Sequence, residues 1–132
     1  FKGKKQFLME NFYREMRKKH QILVVNNQPE GGLWNYDKSN RQKWNKEVLV
    51  PLQKNFDNDV SEIVNELEIA SIGSIGKINS KYFEYPINRE QSLKQLDYFC
   101  EHLLVHFGDY QDAIHTDNVF LFHSKLSFAM NT

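Results

Sequence analysis

The stretch that most limits what this chain can fold into runs from Pro86 to Gly108. Asn88 is a good N-cap residue and Gln91 stands three positions on, the pairing that closes the first turn of a helix. Leu93, Leu96, Phe99, Cys100, Leu103, Leu104 and Phe107 then recur at helical spacing. A helix with one apolar face is predicted over 89–107, with Gly108 as its stop and Cys100 as a packed thiol within the stripe.

Two further helices are predicted on the same grounds. Over 6–19, Phe7, Leu8, Phe12, Tyr13 and Met16 form a buried stripe, and Lys18-Lys19-His20 suits the negative end of a helix. Over 59–69, Asp59 acts as N-cap with Glu62 three residues on, and Ile63, Val64 and Leu67 share a face. Between these helices the β-prone Ile22-Leu23-Val24-Val25 meets the turn formers of 26–32 and then Leu33-Trp34-Asn35-Tyr36, so a short hairpin or an extended loop is expected around 22–36. Residues 37–54 are polar, aperiodic and interrupted by Pro51, as in a long connecting loop. A last short helix is expected after His123. The fold class is mainly α.

The chain has 132 residues, 40% hydrophobic and 26% charged, which is ordinary for a globular domain. It begins at Phe1 without Met and stops at Thr132 after an apolar run, so it is expected to be a piece of a longer protein. No apolar run reaches the length of a membrane span, and the first residues lack the charged-then-apolar order of a signal peptide, so neither a membrane nor a secretory role is expected. The single Cys100 excludes an internal disulfide and a cysteine-built metal site, so a reducing, cytoplasmic compartment is expected, with no membrane partner and a monomeric state.

The net charge of zero conceals an asymmetry. Residues 1–54 carry 12 Lys/Arg against 5 Asp/Glu, and residues 55–132 carry 5 against 12. A polyanion can therefore meet a basic first segment, although solvated helix faces explain the same charges.

Several chemical motifs fail or stay ambiguous. Ser71-Ile72-Gly73-Ser74-Ile75-Gly76-Lys77 lacks the first glycine of a phosphate loop and the hydroxyl residue after its lysine. His102 and His106 have two-histidine metal spacing without the HExxH pattern, and a solvated helix edge is the simpler reading. Asp109, Asp112 and Asp117 with His115 could take a divalent cation, or simply solvate and cap a loop. No metal site is assigned.

Two segments carry more. Gly31-Gly32-Leu33-Trp34-Asn35-Tyr36-Asp37-Lys38-Ser39-Asn40-Arg41 joins a glycine bend to aromatic and basic groups, a mixture that packs on bases and phosphates or else plugs a domain boundary. His123-Ser124-Lys125-Leu126-Ser127 places two hydroxyls and a cation at a helix start, which is either a diphosphate seat or an ordinary cap.

Phe12-Tyr13-Arg14-Glu15-Met16-Arg17, Gly31-Gly32-Leu33-Trp34-Asn35-Tyr36-Asp37 with Asn40-Arg41, and His106-Phe107-Gly108-Asp109-Tyr110-Gln111-Asp112-Ala113 resemble successive signatures of the deoxyribodipyrimidine photolyase-related proteins, a group with iron-sulfur cryptochromes and photolyases among its members. The resemblance implies a central fragment. Residues 1–84 would form the interdomain connection after an absent N-terminal α/β antenna domain, and 85–132 would open the helical FAD-binding domain.

It further implies that His123, Ser124, Lys125, Leu126 and Ser127, with Tyr110, hold the FAD phosphates, Lys125 standing where Arg is commoner and Phe128-Ala129 where Pro-Tyr or Ala-Tyr is usual. Trp34, Asp37, Lys38 and Arg41 would meet damaged DNA. The full-length protein would be a DNA photolyase, a carbon-carbon lyase that splits pyrimidine dimers with an electron from reduced flavin. A cryptochrome-like blue-light photoreceptor or a cofactor-free helical interaction module are the alternatives. The antenna chromophore and the cysteines of a 4Fe-4S cluster would lie outside the chain, and the fragment alone would be inactive, binding FAD weakly or not at all.

Overall fold

The computed structural model describes residues 8–130, and the chain divides between Lys38 and Ser39 into two compact units. The architecture is mainly helical with one small hairpin.

In the first unit α1 spans Met9–His20. The expected start at Gln6, together with Phe7, lies outside the described residues. The helix ends where Gln21 turns left-handed (φ 54°) and its N–H reaches the carbonyls of Arg17 and Lys18, while four basic residues fill the last turn. The chain then reverses through β1 (Val24–Val25) and β2 (Gln28–Pro29), paired antiparallel with Val24 opposite Pro29 and Val25 opposite Gln28. Asn26 and Asn27 both have positive φ, 51° and 61°, the backbone of a type I′ turn whose twist matches the strands.

The expected buried stripe of α1 is not buried. No residue of α1 is enclosed, and Tyr13 remains 58% exposed and Leu8 51%. The physical reason is size, since two-residue strands cannot cover a three-turn helix.

The second unit holds α2 (Ser61–Ile69), α3 (Arg89–Tyr98), a π-helical turn (Phe99–Leu103), α4 (Leu104–Tyr110) and the short α5 (Ser127–Met130). Asn88 caps α3 as expected, its Oδ1 accepting from Gln91 N–H at 2.9 Å. The Gln91 side chain accepts from Ile87 N–H at 2.9 Å and donates to Asn58 Oδ1 at 2.7 Å, so the cap also ties α3 to the preceding loop. Asn58 is buried and returns donors to the carbonyls of Phe83 and Tyr85.

Four local expectations are corrected. The N-cap position of α2 is Val60, with Asp59 Oδ1 accepting from Ser61 N–H at 2.9 Å from one residue earlier. Gly108 does not stop the long helix, which continues to Tyr110. The expected single helix is also interrupted by the π turn, in which Leu104 N–H reaches the carbonyl of Phe99. That wider turn keeps Gln95, Phe99 and Leu103 in line toward the core and rotates Cys100 outward, so the thiol is exposed rather than packed.

The core is Phe99, Leu103, Tyr110, Ala113, Leu121 and Phe122, with Leu103, Leu121 and Phe122 fully enclosed. Residues 39–57 form no helix or strand, yet they are pinned to this core. Gln42 bonds Asp109 through backbone and side chain, Trp44 lies edge-on to His115 with ring centroids 5.0 Å apart, Lys46 pairs with Asp117, and the Tyr98 hydroxyl donates to the Leu52 carbonyl.

Candidate functional site

The segment from Asn118 to Ser127 is shaped by the core beneath it. Asn118 Oδ1 accepts from the N–H groups of Phe120 and Leu121, at 3.2 and 2.7 Å, and folds the chain so that Leu121 and Phe122 plunge inward. Gln95, 1% exposed on α3, donates to the Ser124 carbonyl at 3.1 Å. The following residue, Lys125, adopts a left-handed conformation (φ 56°).

These anchors leave a groove of about 360 Å³ lined by Tyr85, Phe107, Gln111, Phe120 and the whole run His123 to Ser127. The Lys125 ammonium lies 5.1 Å from the Tyr85 ring centroid and 4.6 Å from that of Phe120, and donates to Asn55 Oδ1 at 3.3 Å. Burial pushes its pKa below the ordinary lysine value, against the opposing pull of Glu84. His123 Nε2 is buried with no hydrogen-bond partner among the described residues. Among the described residues Ser124 Oγ accepts a long bond, 3.4 Å, from Leu126 N–H.

A cation stripped of part of its water, a hydroxyl in a weak bond and an orphaned imidazole nitrogen are the donor chemistry that an anionic diphosphate needs, so the residues fit the FAD phosphates. Since α5 opens at Ser127, Ser124 stands three residues before it and is no simple N-cap. Tyr110 belongs elsewhere: it is 7% exposed in the core, stacked on Phe122 with centroids 5.3 Å apart, and is not among the residues that line the groove.

The second candidate segment falls on both units. Trp34, Asp37 and Lys38 belong to the first, where the loop is fixed by the Tyr36 hydroxyl donating to the Gly31 carbonyl at 2.7 Å. Gly31 has φ 79°, and a Cβ there would stand 2.6 Å from that hydroxyl oxygen, so glycine is required twice over. Asp37 N–H donates to Asn35 Oδ1 at 3.4 Å, and Asn35 in turn donates to Glu10 on α1. Trp34 is half-buried with Arg14, Arg17 and Lys18 of α1 around its ring. Arg41 belongs to the second unit, its side chain 83% exposed, 3.9 Å from the Asp112 carboxylate at the edge of a cleft of about 590 Å³ that also includes Lys43, Trp44 and His115.

The histidine and aspartate patterns resolve into separate contacts. His102 lies against Tyr98 and His106 against Phe122, on either side of the π turn's end. Among the described residues no group of three or more His, Cys, Asp or Glu is placed to hold a metal ion. No helix there is long and apolar enough to cross a membrane.

Residue patterns alone did not single out Arg14, Arg17 and Lys18, although their spacing on one helix face was a usable signal. Gln95, Asn55 and Tyr85 carry no such signal, because only the tertiary fold brings Asn55 and Tyr85 to Lys125 and Gln95 to the Ser124 carbonyl.

The family model for deoxyribodipyrimidine photo-lyase-related proteins matches residues 1–83. A (6-4) photolyase of Agrobacterium fabrum is 37% identical over 131 residues, covering 98% of this chain and 25% of that protein. The chain thus spans about a quarter of the length of that relative. With the signatures around Trp34 and Tyr110 in place and both matches in agreement, the chain belongs to the deoxyribodipyrimidine photo-lyase-related protein family.

Proposed function

We propose that the full-length protein is a flavin-dependent, light-driven DNA repair enzyme that splits pyrimidine dimers. In this reading residues 1–84 connect an N-terminal antenna domain to the flavin domain, which opens at residue 85. The likeness to a (6-4) photolyase supports photolyase-like work. The observation that carries the residue-level reading is that His123, Ser124 and Lys125 line one groove.

When bound, reduced FAD supplies on illumination the electron that splits the dimer. The chain's own residues bind and orient. Lys125 offers one positive charge held between two rings, Ser124 and Ser127 offer hydroxyl donors, and His123 offers a ring N–H to the phosphates. An anion at Lys125 reverses the effect of burial and raises its pKa back toward the ordinary value. Tyr110 acts as a positioning residue through its stack on Phe122. On the other segment, Arg41 contacts a DNA phosphate, so Arg41→Ala weakens damaged and undamaged DNA alike and lowers the salt slope by about one.

The test is spectral and catalytic, on full-length protein. Flavin absorbance together with light-dependent repair of dimer-containing DNA is the expected result, and the relative's (6-4) designation makes that linkage the first substrate to assay. Flavin without repair reassigns the protein as a cryptochrome-like photoreceptor, and colourless protein reassigns it as a helical interaction module.

A further inference from the structure

We infer that α1 carries a second phosphate-binding face for a nucleic-acid backbone, made by Arg14, Arg17 and Lys18 around Trp34. The inference rests on the nucleic-acid reading of the Trp34 loop and extends it to a helix outside that loop.

The three basic residues stand at i, i+3 and i+4, so they share one side of α1. The guanidinium carbons of Arg14 and Arg17 lie 5.7 and 5.3 Å from the indole centroid, and the Lys18 ammonium lies 5.2 Å from it. An indole attracts a cation, yet three like charges gathered on one ring repel each other. Glu10 offsets only part of this. It pairs with Arg14 and also accepts from Asn35 at 3.2 Å.

Arg17 donates to the carbonyls of Ile22, Leu23 and Trp34, which fix its position but leave its charge without a carboxylate among the described residues. Lys18 likewise has no carboxylate partner there. Lys19 and His20 add further basic groups on the same turn. The negative end of the helix favours cations in this turn, but it does not require three of them to meet at one aromatic ring. A run of phosphates supplies matching negative charge at several points, as a nucleic-acid backbone does. The basic excess of residues 1–54 points the same way.

The experiment measures binding of full-length protein to short DNA duplexes, with and without a dimer, between 50 and 200 mM salt. Arg17→Gln would also release three carbonyls and so endanger the hairpin, which leaves Lys18→Gln and Arg14→Gln as the informative variants. Each neutralised cation is expected to lower the salt slope by about 0.9, which shrinks the affinity ratio between the two salt concentrations about 3.5-fold, equally for both duplexes. Lys18→Arg is expected to restore the slope. Wild-type slopes in Lys18→Gln and Arg14→Gln, with a lowered slope in Arg41→Ala, overturn the α1 face alone. Wild-type slopes in all three overturn the nucleic-acid reading of the loop as well.

Discussion

Around Lys125 a single cation is held between two half-buried rings and the Asn55 side chain, whereas around Trp34 three cations crowd a helix that encloses none of its own residues. The groove is built from the core outward: Phe122 and Leu121 are fully enclosed, and Gln95 holds the Ser124 carbonyl. The Trp34 loop is held by exposed or partly buried hydrogen bonds to Arg17 and Glu10. The difference matches what each would recognise. A compact diphosphate rewards a few donors fixed in place, while an extended polyanion rewards many charges and tolerates loose ones.

The comparison breaks most visibly in the core. Leu103→Ala removes a fully enclosed side chain under the groove and is expected to cost about 3 to 5 kcal/mol, whereas Tyr13→Ala, on the open face of α1, is expected to change stability by less than about 0.5 kcal/mol. Chemical denaturation of the full-length protein checks both. Equal losses would mean that α1 is as well packed as the π-helical turn.

Gln95→Ala takes the donor from the Ser124 carbonyl and is expected to cost about 1 to 3 kcal/mol, with weaker flavin retention in the same variant. Flavin release on gel filtration, measured alongside unfolding, tells whether the carbonyl anchor shapes the groove. In the first unit Asn27→Ala puts a less tolerant residue at φ 61° and is expected to cost about 1 kcal/mol, while Asn27→Gly is expected to be neutral or slightly stabilising.

The smallest expected effect is electrostatic. The hydrogen bond from Lys46, then its charge, holds the Asp117 carboxyl below the ordinary aspartate range. Because the folded-state pKa is depressed, the pair's contribution is present above the unfolded aspartate range and is lost as pH falls through the lower folded value. Lys46→Met is expected to return Asp117 toward its ordinary pKa in an NMR titration, with little change in stability at neutral pH because both groups are exposed.

Local signals are legible in the sequence. Asn88 with Gln91 announces α3 because a cap is made by residues three apart, and the turn formers at 26–32 announce a reversal because Asn and Gly accept positive φ. What eluded the residue pattern depends on packing at a distance. Nothing in Phe99 to Leu103 marks a π turn, and a uniform helical period therefore puts Cys100 inside and Gln95 outside, the reverse of what forms. The run His123 to Ser127 was visible as a candidate seat, but its partners Asn55, Tyr85 and Gln95 come from distant parts of the chain. The stripe of α1 shows the converse, since an amphipathic period states which face is apolar and not whether anything covers it.

The central claim is that the groove at Lys125 is a seat for the flavin diphosphate, and the most direct measurement compares Ser124→Ala and Lys125→Met with the parent full-length protein in flavin affinity and in thermal stability of the flavin-free form. A hydrogen bond to a charged acceptor contributes about 1.5 to 3 kcal/mol, so each variant is expected to bind flavin roughly ten- to a hundredfold more weakly, with Lys125→Arg close to the parent. Flavin-free stability should change little in Ser124→Ala, whose hydroxyl accepts a long bond from Leu126 N–H, and little in Lys125→Met, where release of a partly buried charge offsets the lost ring and Asn55 contacts. Parent-like flavin affinity in both variants, with loss confined to stability, would contradict the seat and reduce the run from His123 to Ser127 to a structural turn.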